Sequence, residues 1–570
     1  MRRRSFLLGA ATAAVAGTAG YYRQRIVETP ANVAYPGMQA GHALRDGAAL
    51  PAATAHHRHQ VVILGAGVAG LSCAWKLARE GFTDFVVVQG PEFAGNAAAG
   101  RQDELHYPLG AHYLPLPSMA STHVRQMLAD FGIIEHGAGD VRPVYDESVL
   151  VHSPQERLLR NGRWEDGLLP MTGLPDADVA QHHRFLALVE RLHTQRGNDG
   201  RRVFSIPLVL SSQDPAWRAL DQIPFKQWLD REGYTSPALH WYLNYCCRDD
   251  YGAGYDVVSA WAGLHYFASR DGHAANAGEG AVLTWPGGLG VLADRMRQAI
   301  DDKLGHTRWL MAGTAVRIAD TPAGPLTTCV ATGLAPGLAT GSTPGLAPGL
   351  TPGLTPDSTP RAYTLQSRRT VCAMPLFVAQ RLLPDIRAYG YDPAVHASSH
   401  APWLVSNFLL EGYPQEAPGE PLSWDNVVYQ GRALGYVVST HQLLRVARSP
   451  RSVFTAYHAL STQTPNAARQ WLSTASPEAL RDEAAADLIA AYGREFWRHA
   501  RRLDITVRGH AMASPLCGSL SNAGLAALRE VDGPVLFAHA DLSGYSVFEE
   551  ASWWGVVAAG RILGQAPPSA

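Results

Sequence analysis

Three glycines, Gly65, Gly67 and Gly70, carry the first chemistry legible in this chain. They follow the apolar run Val61-Val-Ile-Leu64 and precede Leu71-Ser-Cys-Ala-Trp-Lys-Leu-Ala-Arg79, so G-x-G-x-x-G falls where a strand turns into a helix. In that setting the first glycine allows a tight turn, the second lets backbone approach a pyrophosphate, and the third lets helix and strand pack closely. Free N–H groups and the positive end of the helix dipole then face the phosphates. Ala66 and Ala69 complete the small-residue set, and a second apolar strand, Phe85-Val-Val-Val88, follows where a β-α-β unit needs one. The expectation is a bound dinucleotide.

Other candidates lie further along. The loop Gly90-Pro-Glu-Phe-Ala-Gly-Asn-Ala-Ala-Ala-Gly-Arg101 is rich in small residues that let backbone lie against a ligand, and Arg101 could neutralise a phosphate. The stretch Trp241 to Phe267 is dense in Trp and Tyr and carries Arg248, Asp249 and Asp250; it reads as core or as the wall of a substrate site. Near the C-terminus, Val535-Leu-Phe-Ala-His-Ala-Asp-Leu-Ser-Gly-Tyr-Ser546 leads into a small-residue helix, a second place where backbone can approach a ligand. His510 lies just before it. No C-x-x-C and no Cys/His cluster suggests a metal.

A chain of 570 residues is too long for one compact core, and a formal charge of -2 argues against nucleic acid as a partner. The pattern divides it into residues 1–28, a signal or anchor; 29–58, a linker; and 59–115, a first nucleotide-domain segment. Residues 116–284 form a first substrate-domain segment and 285–392 a second nucleotide-domain segment. Within the latter, a Gly/Leu/Pro tetrad repeat over 331–360 reads as a disordered excursion. Residues 393–505 and 506–570 complete the substrate and nucleotide domains. The N-terminal Arg2-Arg-Arg-Ser-Phe-Leu-Leu8 and the small apolar run after it resemble a twin-arginine export signal, which implies a periplasmic or otherwise exported protein. An uncleaved signal would tether it to a membrane. Cys73, Cys246, Cys247, Cys329, Cys372 and Cys517 read as unpaired.

Taken together, the β-α-β unit, Gly100-Arg101, Gly110-Ala-His112, Trp285-Pro-Gly-Gly288, the strand with Val316, Ala373-Met-Pro375 and Phe537-Ala…Ser543-Gly-Tyr545…Glu550-Ala551 resemble the flavin-containing amine oxidase superfamily. The resemblance implies an α/β fold: a Rossmann-type FAD-binding domain assembled from separate segments, with an interleaved α+β substrate domain. It places Gly65, Gly67 and Gly70 at the FAD pyrophosphate with Arg101 near the phosphates, and Gly110, Ala111 and His112 near the flavin ring. Val316 falls at the adenine, Ala373 in the cofactor-binding set, and Asp541 to Ser546 along the ribityl chain and ring. Tyr545 corresponds to an aromatic beside the substrate nitrogen. Gln89 stands where the superfamily has a ribose-binding Glu, and Asp541 is displaced by one position. No lysine follows Lys303, although many relatives hold a water at flavin N5 with one.

The chemistry implied is removal of a hydride from a small organic substrate, an amine by preference, to flavin N5, with oxygen, a quinone or a protein as electron acceptor. Tyr545, His112 and His510 are the catalytic candidates, and Trp424 is a further lining residue. The alternatives are a desaturase or dehydrogenase of a non-amine substrate, and a flavin-binding protein without turnover. Absence of a second G-x-G-x-x-G argues against direct use of a nicotinamide.

Overall fold

The computed structural model describes residues 29–331, 361–443, 446–447 and 449–567. The signal over 1–28 lies outside the described residues, as does all of the repeat except Ala331, which ends a strand.

The fold is mixed α/β and is built around two sheets. One is a largely parallel sheet at the first glycine turn. Its long strand Ala53–Leu64 lies between Phe85–Val88 and Arg361–Cys372, parallel to both. Val535–Phe537 continues the parallel set beside the end of Arg361–Cys372. Gly324–Ala331 and Thr314–Thr321 close the sheet as an antiparallel ribbon. Beside the glycine turn the sheet is buried on both faces, and there Val61-Val-Ile-Leu64 and Phe85-Val-Val-Val88 are continuous apolar runs. Helix Val68–Arg79 packs on this sheet, and the C-terminal helix Phe548–Leu563 packs on that helix. At Gly555 a Cβ would lie 2.2 Å from the Ala69 carbonyl oxygen, and the Ser72 hydroxyl donates to Ser552 Oγ at 3.1 Å. The glycine-turn unit and the C-terminal helix therefore share one core.

The second sheet has eight strands in the order Ala31–Ala34, Ala500–Ala513, His400–Glu411, Arg451–Ala459, Tyr436–Val438, Asp425–Val428, Glu156–Arg160 and Arg163–Asp166. Helices over 176–268 pack a separate aromatic core alongside it.

Three boundaries differ from the sequence expectation. Residues 29–58 are not a linker: Ala31–Ala34 pairs with Ala500–Ala513, Met38–Arg45 is helical, and the central strand already begins at Ala53. The polar His-rich half of that strand, His56 to His59, hid it. The break at 115 falls too early, because Val124, Met127, Leu128 and Ile134 pack into the core of the parallel sheet. The break at 505 cuts strand Ala500–Ala513 in two. All six cysteines are unpaired.

Candidate functional site: a dinucleotide cradle beside an aromatic cluster

Backbone sterics explain the glycine turn. Gly65 has φ of 112°, a left-handed conformation that suits glycine, and a Cβ there would meet the Ala373 carbonyl oxygen at 2.7 Å. A Cβ on Gly70 would sit 1.9 Å from the Gly65 oxygen, so only glycine lets the helix start this close to the strand. Gly67 differs: it is extended (φ −79°, ψ −178°), precedes the helix without a side-chain cap, and its absent Cβ would point into open space. The first N–H groups of a helix lack intrahelical partners. At Gly67 they face a cavity of about 990 Å³.

That cavity gathers most of the expected cofactor residues: Gly65, Ala66, Gly67, Ala69, Gln89, Ala111, Val316, Ala373, Asp541 and Ser546, with His510 on its wall. Two polar atoms on its wall are buried without a hydrogen-bond partner, Gln380 Oε1 and Arg508 Nη2. Open space at Gly67 and these two unmatched atoms fit a polar, phosphate-bearing cofactor. Phe377, Arg469, and residues 35–38, 40–42, 44 and 45 complete the wall. The N-terminal segment is thus part of the site, unexpected because its types carry no motif.

Asp541 caps the short helix Leu376–Leu382, accepting from the Leu376 N–H at 2.8 Å, and contacts His400 Nε2 at 3.1 Å and His539 Nδ1 at 3.3 Å. Burial alone would raise its pKa, but His539 and His400 outweigh burial and hold it well below the usual carboxylate range. Burial opposes protonation of His400 too, yet Asp541 raises it. His510 faces the cavity, its ring 4.6 Å from that of Phe377; desolvation, then Arg469, His400 and His42, lower its pKa to about 4. It is neutral at pH 7. Ser546 Oγ accepts from the Ala513 N–H at 2.9 Å.

Other expected residues stand elsewhere. Gly70 and Gly110 lie behind the wall; a Cβ on Gly110 would meet the Asn96 carbonyl oxygen at 2.0 Å. Arg101 is not near the glycine turn but exposed in the hairpin Ala99–Gln102/Leu105–Pro108, where its Nε donates to the Asp103 carbonyl at 2.6 Å. Tyr545 is not on the cavity wall either. It is 2% exposed in the helical aromatic core, with ring centroids 5.1 Å from His265 and 5.5 Å from Tyr251, and its hydroxyl has no partner. The turn at Gly544 (φ 78°) sends Tyr545 to this core while Ser546 and Val547 face the cavity.

His112, next to the cavity residue Ala111, opens a second feature. It stacks on Tyr457 at 4.5 Å and lies 4.9 Å from Tyr113 and 5.5 Å from Trp424. Burial lowers its pKa to about 3, so it is neutral. The Tyr457 hydroxyl donates to the Gly110 carbonyl at 3.1 Å. Beyond these rings Trp241 packs on Tyr429 at 4.5 Å and on Tyr245 at 5.7 Å. Asp249 and Asp425 act electrostatically on this group, and Glu156 acts on Asp425. Asp425 and Glu156 are register neighbours on adjacent parallel strands. Burial first, then Asp250, raises Asp249 to about 7; burial, Glu156 and Asp249 raise Asp425 well above its usual value; burial raises Glu156. Ala511 lines the cavity and belongs to one apolar cluster with Trp403, Trp424 and Tyr457, so the cavity borders the aromatic cluster. Periodicity cannot reveal the whole cluster, because its members come from a helix and from strands and loops far apart in sequence.

Residues 63–131 match the family model described as an NAD(P)-binding Rossmann-like domain. No curated protein matches the chain by sequence. Among solved structures, wild-type putrescine oxidase bound to putrescine superposes with a TM-score of 0.60 at 15% identity, covering 90% of this chain and 100% of that one. Cyclohexylamine oxidase from Brevibacterium oxydans IH-35A gives 0.57 at 16% identity, covering 89% and 99%. A CLA-producing fatty acid isomerase from P. acnes gives 0.53 at 15%, covering 88% and 98%. At such identities the property shared is the fold. Fold and cradle define a Rossmann-type dinucleotide-binding α/β protein with an interleaved second sheet.

Proposed function

We propose that this chain is an FAD-dependent oxidoreductase that takes a hydride from a small organic substrate, with an amine as the substrate class. The observation that carries the reading is one continuous arrangement: a glycine-turn cavity of about 990 Å³ bordering an aromatic cluster, with the carboxyls of Asp249, Asp425 and Glu156 beside it. FAD, when bound, supplies the two-electron acceptor.

The chain's own groups then have definite tasks. The helix start at Gly67 meets the pyrophosphate, and Gln89 accepts from ribose hydroxyls through its amide oxygen. Ala111 and Ala511 present little bulk on the wall and would leave room for the flavin ring, with Leu289 as an apolar neighbour. At the aromatic cluster, ring faces and the carboxyls of Asp425 and Glu156, when ionised, favour a cation, while the Arg270 guanidinium paired with Asp250 opposes one. An ammonium must lose a proton before its carbon can release a hydride, and Asp249, poised near neutrality, can hold that proton. Neutral His112 adds no opposing charge. Lys76 and Lys226 are paired on the surface with Glu80 and Asp230, and no lysine lines the cavity. This favours a quinone or protein over oxygen as acceptor. Export through the twin-arginine pathway, with cofactor loaded before transport, completes the proposal.

The test is anaerobic addition of polyamines, amino acids and apolar polyenes to the purified yellow protein. Bleaching by an amine followed by slow recovery in air supports the reading. Bleaching by a polyene alone would move the substrate class to a desaturase, and flavin that nothing reduces would leave a binding protein.

A further inference from the structure

Arg508 is the most constrained cation on the cavity wall. Its side chain is 8% exposed. Nε donates to the Leu109 carbonyl at 2.9 Å and Nη1 to Glu92 Oε2 at 2.9 Å, with Asn96 Oδ1 at 3.4 Å. These contacts fix a planar fork in two directions and leave Nη2 buried without a partner. Its local backbone is irregular: the pairing of His400–Glu411 with Ala500–Ala513 shifts register between Ala401/Met512 and Trp403/Arg508. Bulges of this kind re-aim side chains.

The fork's anchors belong to the loop that backs the glycine turn. Ala94 donates its N–H to the Ala66 carbonyl at 2.8 Å, and a Cβ on Gly95 would lie 3.6 Å from the Gly67 Cα. Glu92 and Asn96 flank those residues in sequence. We propose that Arg508, brought from the far end of the chain, is the cation that meets the pyrophosphate of the bound dinucleotide, the part sequence reasoning had given to Arg101. The inference rests on the FAD reading. A buried charged donor left unmatched is costly, and a phosphate oxygen is the acceptor that satisfies it best. Glu92 serves as a positioning residue that stops the fork rotating away.

The experiment measures binding to flavin-free protein by quenching of flavin fluorescence, with ADP as a competitor and riboflavin as a phosphate-free probe. Arg508→Met is expected to weaken FAD about 10- to 100-fold and ADP in parallel, and to leave riboflavin unchanged. Arg508→Lys should fall between, and Arg101→Met should bind FAD as wild type does. Arg508→Met combined with Glu92→Gln leaves no unpaired carboxylate, and should show the same selective loss with an unchanged melting temperature. Wild-type FAD and ADP affinity in Arg508→Met would overturn the proposal. So would unchanged ADP affinity with a shifted flavin reduction potential, which would put the fork at the ring. If wild-type protein binds no flavin, the FAD reading itself fails.

Discussion

Replacing Gly67 by alanine separates cofactor recognition from folding. At Gly67 the backbone is extended and a methyl group meets nothing within 4 Å, so the folded chain accepts alanine without strain. By restricting the unfolded chain, the change should stabilise the protein by about 0.4–1 kcal/mol. The same methyl would occupy the space through which a pyrophosphate reaches the helix N–H groups. Loss of one charge-assisted hydrogen bond costs about 1.5–3 kcal/mol, which weakens FAD by about 10- to 150-fold. Gly70→Ala is the contrast: its methyl would lie 1.9 Å from the Gly65 carbonyl oxygen and 3.3 Å from the Ala373 Cβ. Backbone must move there, and overpacking of this kind costs about 3 kcal/mol whether or not cofactor is present. Urea unfolding of the flavin-free variants gives the stability difference, and fluorescence titration with FAD gives the affinity. Wild-type FAD affinity in Gly67→Ala, or equal loss of stability in both variants, would refute the reasoning.

Three further outcomes follow from the same geometry. Tyr545→Phe removes a buried hydroxyl that has no partner, so stability should hold or rise by about 1 kcal/mol and the rate of flavin reduction should not change; a large rate loss in stopped-flow measurements would return Tyr545 to the site. Asp425 has a raised pKa, so its ionisation destabilises the folded state as pH rises; Asp425→Asn should melt above wild type increasingly toward alkaline pH while raising KM for an amine about tenfold or more. For the His400–Asp541 pair the two signs combine. The contribution from raised His400 is complete below pH 6.5 and is lost as pH rises through its folded value, whereas that from depressed Asp541 is present above 3.8 and is lost as pH falls through its folded value. The stability difference between wild type and Asp541→Asn should therefore peak in mildly acidic solution, and a difference still growing above neutrality would contradict the pairing.

The glycine turn was legible in sequence because its requirements are local: three positions where Cβ atoms are excluded or unwanted. Gln89 and Val316 follow from strand order in the same unit, and both line the cavity. Arg101 misled because the small-residue loop before it does approach the cradle, but the chain turns into a surface hairpin before the guanidinium can follow. Tyr545 misled through one left-handed glycine, Gly544, that decides which neighbour faces inward. Arg508, the N-terminal wall and the carboxyls at 156 and 425 are products of long-range pairing, identified only once the register of the second sheet is known. Asp249 sits on the helix Pro237–Tyr251, within the aromatic stretch that the sequence already offered as core or substrate wall.

The central claim is that the cavity carries a flavin reduced by a substrate bound where it borders the aromatic cluster and its carboxyls. Its most direct test is the visible absorption of the purified, air-free protein during titration with an aliphatic diamine. The account predicts stoichiometric bleaching of bound FAD in the wild type and little in Asp425→Asn at the same diamine concentration. Folded protein that neither contains nor takes up FAD, or bound FAD that bleaches equally in the two proteins, would contradict it.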